Sequence, residues 1–84
     1  MASSIEVGSR CKLGSGARGE VKFVGKIMDL GQGYFVGVKL DEPFGNSNGV
    51  VKGVKYFEAG DKFGIFVRPN SLEIGDFPEL EIDD

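Results

Sequence analysis

Two apolar segments of the sequence each place an aromatic ring, a glycine and a cation on one face of an extended chain. Side chains of successive residues in a strand point to opposite faces, so in both segments these three residues share one face, opposite the aliphatic residues. The two sets are Phe35, Gly37 and Lys39 in the first segment, and Gly64, Phe66 and Arg68 in the second. Such a surface can hold an apolar side chain beside a carboxylate, and the pair predicts a shallow peptide-binding groove. A second small core covered by a loop is the alternative for either phenylalanine alone.

A polar loop, Gly45-Asn46-Ser47-Asn48-Gly49, lies between these segments. Asparagine and glycine tolerate left-handed backbone, and Asn and Ser side chains bond to nearby main chain. The loop is therefore either a well-formed turn or a set of N–H and amide donors for an anion. The spacing alone leaves both interpretations open.

Catalytic chemistry has little support in the sequence. The chain has no histidine and one cysteine, Cys11, so no base and nucleophile can be paired, and no metal-ligand cluster is visible. We expect no enzyme activity, no metal and no cofactor. Cys11 is predicted to be a small buried hydrophobe at the start of a strand. A lone cysteine favours a reducing compartment, so the expected location is the cytoplasm.

The elements that must position these residues are short strands. The 84 residues suffice for one domain, and 14 glycines scattered among apolar runs indicate tight turns. Strands are predicted over 10–13, 20–24, 34–40, 51–57, 65–68 and 71–74. The fold class is therefore all-β, a small SH3-like barrel of five to six short strands with Gly-rich loops.

Strand alternation also predicts the core. Tyr56 and Phe57 are expected in the core rather than at a ligand, and Gly53 is expected to mark a bulge or a close backbone approach. The remaining inward-facing residues are predicted to be Val21, Phe23, Tyr34, Val36, Val38, Leu40, Ile65 and Val67.

Charge divides the chain unevenly. Residues 1–75 carry ten basic and eight acidic side chains (+2), whereas residues 76–84 carry five acidic ones (−5). We expect residues 1–4 to be disordered or a cloning remnant and not a signal peptide, residues 5–75 to form the domain, and residues 76–84 to be an acidic tail. Solvated disorder is the favoured interpretation of the tail. Occupation of the groove by Leu80 and Ile82 is the alternative.

The order of motifs resembles one family. The segments 33–43, 45–49, 51–57 and 64–69 together resemble the CAP-Gly (cytoskeleton-associated protein, glycine-rich) domain, and the flank 74–79 is similar to the CAP-Gly domains of tubulin-folding cofactors. The resemblance implies a microtubule- or tubulin-associated binding module. Its ligands would be acidic C-terminal tails ending in an aromatic residue (Glu-Glu-Tyr/Phe type), as on α-tubulin.

The resemblance also implies a set of site residues. The family's loop Gly-Lys-Asn-Asp-Gly holds the terminal carboxylate, and here it reads Gly-Asn-Ser-Asn-Gly. The family's tryptophan corresponds to Phe35. Both changes predict weaker or altered binding than in a typical member, because a charge-assisted bond and ring area are lost. The predicted peptide-binding residues are Leu30, Phe35, Asn46, Ser47, Asn48, Gly49, Lys55, Phe66 and Arg68.

Two other functions fit parts of the sequence. A ring beside a cation suits base stacking, so an SH3-like nucleic-acid-binding module is the main alternative. The charge of only +2 before the acidic tail argues against it. A dimerisation module is the third possibility. We expect a monomer that binds neither nucleic acid nor membrane.

Overall fold

The computed structural model describes residues 5–75, which fold into short antiparallel strands. The strands are β1 Arg10–Leu13, β2 Arg18–Lys26, β3 Tyr34–Leu40, β4 Val50–Val51, β5 Val54–Lys55, β6 Gly64–Val67 and β7 Leu72–Ile74, with 3-10 turns at Met28–Leu30 and Pro69–Ser71. The predicted all-β class is confirmed, and two strands have the predicted bounds. Within residues 5–75, no helix is long and apolar enough to cross a membrane.

The five longer strands form one antiparallel sheet in the order β6-β3-β2-β1-β7, and β4 and β5 form a separate hairpin. β6 and β7 follow each other in the chain but lie at opposite edges. A flat five-stranded sheet is roughly 19 Å across, four spacings of about 4.8 Å. The five residue-to-residue steps from Val67 to Leu72 reach at most roughly 18 Å when extended, and residues 69–71 between them form a compact turn. The sheet must therefore curl towards a barrel.

The main core lies on one face of this curled sheet. Its buried residues are Cys11, Leu13, Val21, Val36, Val38 and Leu40, and Ile5, Ala17, Ile65, Val67 and Leu72 pack against them. Burying each large aliphatic side chain contributes about 1.5–3 kcal/mol. The predicted inward direction of the aliphatic residues in β2, β3 and β6 is confirmed.

Phe23 lies on the opposite face, so the prediction that it faces the core with Val21 is wrong. Val21 pairs with Val38 and Phe23 pairs with Gly37, with a register shift between the two pairs. The extra residue, Lys22, makes this a β-bulge, which reverses the alternation beyond it.

Tyr34 was also predicted in the core and is 56% exposed. It is the first residue of β3 and pairs with Lys26, the last residue of β2, whereas the pairing with β6 begins only at Val36. The tyrosine therefore extends past the core, where the Lys26 ammonium lies 5.4 Å from its ring centre.

The predicted strand 51–57 is instead the two-residue hairpin β4–β5. Val51 pairs with Val54, and the two residues between them, Lys52 and Gly53, have φ of 49° and 83°. Two successive positive φ values are the signature of a type I′ turn. Gly53 is thus a turn residue rather than a bulge or a close approach, since a Cβ there would meet no atom within 4 Å.

Aromatic rings form a second layer on the face opposite the main core. Phe23 and Tyr56 lie 5.0 Å apart, Tyr56 and Phe66 6.0 Å, and Phe57 and Phe66 5.3 Å, measured between ring centroids. Phe57 is buried as predicted, with its ring against Gly37, where a Cβ would lie 2.5 Å from the ring. The glycine of β3 therefore makes room for an internal ring.

Candidate functional site

An open cavity of about 640 Å³ lies where β3, β6 and three connecting segments meet. Its wall combines apolar side chains, a run of small polar residues and two opposite charges. The lining residues are Leu30, Phe35, Asn46, Ser47, Asn48, Val50, Val51, Asp61, Lys62 and Phe66. Six of the nine predicted site residues are among them.

The apolar wall comes from three different elements. Leu30 ends the first 3-10 turn and is 40% exposed, while Phe35 lies near the start of β3 and Phe66 within β6. Phe66 belongs at the same time to the aromatic layer, through Tyr56 and Phe57. Both interpretations of this phenylalanine therefore apply, because one ring serves the second core and the cavity.

Phe35 is largely covered, at 7% exposure, and Arg68 provides part of the cover. The guanidinium carbon lies 4.1 Å from the centre of the Phe35 ring, a cation–π contact. The Nη1 atom of Arg68 donates to the carbonyl oxygens of Gln32 and Tyr34. Arg68 is thus engaged in holding the β2–β3 connection over Phe35, and it does not line the cavity as the sequence predicted.

The loop 45–49 is tied to residues 62–64 by main-chain hydrogen bonds. The N–H of Gly45 donates to the Lys62 carbonyl at 2.7 Å, and those of Asn46 and Ser47 donate to the Gly64 carbonyl at 3.0 Å. Gly64 donates back to Ser47 at 2.8 Å. Because these N–H groups already donate to carbonyl oxygens of the domain, the structure favours a well-formed turn over a main-chain anion site.

Side-chain amides remain as donors at this wall. The Asn48 Oδ1 accepts from the N–H of Val50 at 3.3 Å, which leaves its amide NH₂ group directed elsewhere. Asn46 and Asn48 are both exposed. The cavity therefore offers an apolar ring pocket beside neutral amide donors.

Gly49 positions the loop without lining the cavity. Its φ is 94°, and a Cβ there would lie 2.0 Å from the Phe57 carbonyl oxygen, so only glycine fits. Its N–H donates to the Ser47 hydroxyl at 2.9 Å.

Lys55, the other predicted residue outside the cavity lining, lies on β5 with its ammonium 3.6 Å from Glu58. Sequence reasoning missed four lining residues, Val50, Val51, Asp61 and Lys62. Val51 was predicted only as part of the strand 51–57, and no role in the site was predicted for Val50, Asp61 or Lys62. The polar composition of the 58–64 connection gave no signal that it faces loop 45–49.

Cys11 lies in the main core, away from the cavity. Burial raises the pKa of its thiol above the ordinary value of 9.0, an effect opposed by Arg10. The Sγ atom is 3.6 Å from the Gly19 carbonyl oxygen, to which it donates. Within residues 5–75, no group of three or more histidine, cysteine or acidic residues is placed to hold a metal ion.

The family model for the CAP-Gly domain matches residues 7–72 of this small all-β domain. The chain belongs to the CAP-Gly family, so the resemblance noted in the sequence is confirmed. In solved structures it is similar to the CAP-Gly domain of a human kinesin-like protein, with a TM-score of 0.78 and 29% identity over 92% of this chain and 86% of that one. It is also similar to the Bik1 CAP-Gly domain with an ETF peptide from Bim1, with a TM-score of 0.69 and 31% identity over 77% and 78% of the two chains.

The curated relatives point to one kind of CAP-Gly protein, tubulin-folding cofactor B. The chain is 49% identical to tubulin-specific chaperone B of Caenorhabditis elegans, covering 99% of this chain and 38% of the relative. It is 45% identical to tubulin-folding cofactor B of Arabidopsis thaliana (96% and 34%) and 49% identical to that of Mus musculus (93% and 33%). The chain thus spans about a third of the length of these relatives.

Proposed function

We propose that the cavity binds the C-terminal end of an extended acidic-aromatic peptide of the Glu-Glu-Tyr/Phe type. The observation that carries this proposal is the juxtaposition, in one cavity, of an apolar wall with the amides of the 45–49 loop. The terminal ring would pack against Leu30, Phe35 and Phe66, and the carboxylate would face the loop. The ETF peptide bound to the Bik1 domain, a structural relative, supports a ligand of this kind.

The size of the site suits a weak, reversible complex. Burying one aromatic side chain removes about 150–250 Å² from water, which is worth roughly 4–6 kcal/mol at about 25 cal/mol per Å². Association and ordering consume much of this gain. Neutral amide donors add less than charged ones, so we expect a Kd in the micromolar range, about −8 kcal/mol.

The biological role we propose is that of a non-catalytic binding module in tubulin folding. The names of the curated relatives support this role, and the α-tubulin tail is the expected partner. The module would act as a monomer in the cytoplasm, associated with the cytoskeleton. Nucleic acid is a poorer candidate ligand, because residues 1–75 carry a net charge of only +2 and the described residues contribute a single cation, Lys62, to the cavity lining.

The test is an NMR titration with a peptide ending in Glu-Glu-Tyr and with the same peptide amidated at its C-terminus. We expect saturable shifts at Phe35, Phe66 and residues 46–49, and weaker binding after amidation. Absence of shifts with either peptide would overturn the proposal.

A matched pair of variants tests the location. Leu30→Ala removes part of the apolar wall, whereas Met28→Ala truncates a 79% exposed side chain in the same turn that does not line the cavity. We expect Leu30→Ala to weaken binding about fivefold, since roughly 1 kcal/mol of apolar contact is lost, and Met28→Ala to leave it unchanged. Equal effects would place the peptide elsewhere.

A further inference from the structure

Lys62 is the cation that the described residues contribute to the cavity wall. The other lining residues are apolar or neutral, apart from the acidic Asp61. Lys62 is exposed and makes no ion pair with another residue of the described range 5–75. Its ammonium is therefore available to a ligand.

The backbone fixes the lysine beside the amide loop. The Lys62 carbonyl accepts the Gly45 N–H at 2.7 Å, and a Cβ built on Gly45 would lie 3.0 Å from that same oxygen. The residue that precedes Asn46 thus touches the main chain of Lys62. A carboxylate facing Asn46 and Asn48 is within the region that the flexible lysine side chain can sweep.

The local conformation of Lys62 is unusual for its residue type. Its φ is 69°, in the left-handed region where a residue with a Cβ is disfavoured relative to glycine or asparagine. Residues kept in such conformations often occur at binding sites. The conformation alone assigns no role, but it adds to the lining position and the charge.

We propose that Lys62 determines specificity for a free terminal carboxylate, as the charged donor beside the neutral side-chain amides of Asn46 and Asn48. The proposal rests on the proposed function of the cavity, and adds that the charge comes from the 58–64 connection rather than from the 45–49 loop. Asp61 opposes it, because a second carboxylate at the same wall repels the ligand.

The experiment is a thermodynamic cycle by calorimetry, combining Lys62→Gln with C-terminal amidation of the Glu-Glu-Tyr peptide. Lys52→Gln is the matched control, since Lys52 is also an exposed lysine with positive φ and does not line the cavity. We expect Lys62→Gln to weaken binding of the free-acid peptide about three- to tenfold and to leave the amidated peptide nearly unaffected. Lys52→Gln should change both peptides equally and slightly. Asp61→Asn should strengthen binding of the free acid.

The outcomes separate the two proposals. If no peptide binds any variant, the proposed function itself fails. If the wild-type domain binds with a clear amidation penalty that Lys62→Gln leaves intact, the function stands and the assignment to Lys62 is overturned. A loss of equal size with both peptides would also overturn it, because it would mean that Lys62 acts on the loop rather than on the carboxylate.

Discussion

Single residues that sequence alone assigned to the ligand have structural duties here. Strand alternation predicted that Arg68 contacts the ligand. In the structure its guanidinium instead lies over the Phe35 ring and donates to the carbonyl oxygens of Gln32 and Tyr34. Alternation states which side of a strand a residue occupies and not which neighbour it meets. Lys62 shows the converse, since its position depends on long-range main-chain bonds that no local pattern encodes.

The thiol of Cys11 makes stability depend on pH in the alkaline range. Its pKa is raised by burial in the folded state, so the unfolded chain loses the proton first. The free energy of unfolding should be constant below the ordinary pKa of 9.0 and then fall by at most about 1.4 kcal/mol per pH unit as the pH rises towards the folded-state value. Urea denaturation between pH 7 and 10.5 measures this.

Cys11→Ala is the control for that measurement. It lowers stability at every pH by leaving a small cavity, but it should flatten the alkaline decline. A decline of the same slope in both proteins would show that another group is responsible.

The ion pair between Arg10 and Asp41 joins two distant parts of the chain. The guanidinium contacts both carboxylate oxygens, at 3.2 and 2.6 Å, with the side chains 25% and 10% exposed. We expect Asp41→Asn to lower the free energy of unfolding by about 1–2 kcal/mol, because a partly buried bidentate ion pair contributes more to stability than an exposed pair does. Glu20→Gln, which breaks the more exposed pair with Lys22, should cost less than about 0.5 kcal/mol. Equal losses in denaturant titrations would contradict this ranking.

At the scale of elements, the strands with regular alternation could be predicted and the irregular ones could not. β1 and β3 were located correctly because apolar residues recur at every second position and turn residues flank them. The bulge at Lys22 and the I′ turn at Lys52-Gly53 interrupt that period. Because of the bulge, Phe23 was assigned to the wrong face of the sheet. Because of the turn, the β4–β5 hairpin was predicted as one continuous strand. The cavity was half predicted, since its walls on β3 and β6 follow from alternation.

The hairpin and the 45–49 loop depend on two glycines of different kinds. Gly49 and Gly53 have similar φ, 94° and 83°, but a Cβ on Gly49 would meet the Phe57 carbonyl oxygen whereas one on Gly53 would meet open space. Gly53→Ala should therefore cost about 1 kcal/mol of left-handed strain. Gly49→Ala should cost at least about 3 kcal/mol and displace the loop.

Thermal denaturation of the two alanine variants, with amide spectra of residues 45–49, measures both effects. The difference between them isolates the steric contact, since the conformational cost is shared. Similar melting temperatures would mean that the Gly49–Phe57 approach is not required.

At the scale of the whole molecule, charge distribution should govern how salt affects ligand binding. Residues 1–75 carry +2 and residues 76–84 carry −5. The predicted acidic tail lies outside the described residues, but its charge acts on any acidic ligand over a Debye length, about 30 Å at 0.01 M salt and 8 Å at 0.15 M. Truncation after residue 75 should tighten peptide binding about threefold at low salt and leave it unchanged at physiological salt.

The same truncation distinguishes the two interpretations of the tail. Long-range repulsion disappears with added salt. A tail that occupies the cavity would compete at every salt concentration, and its removal would then tighten binding at 0.5 M salt as well. Calorimetry at three ionic strengths decides between them.

The pairing of the first strand with the last also has a consequence for modular architecture. β1 and β7 run antiparallel at one side of the sheet, and the Gly75 N–H lies 3.3 Å from the Arg10 carbonyl oxygen. The first and last strands of the domain are therefore neighbours, and the sixty-odd residues between Arg10 and Gly75 form the rest of the fold. A domain with this geometry can be inserted into a longer polypeptide without moving the flanking segments far apart.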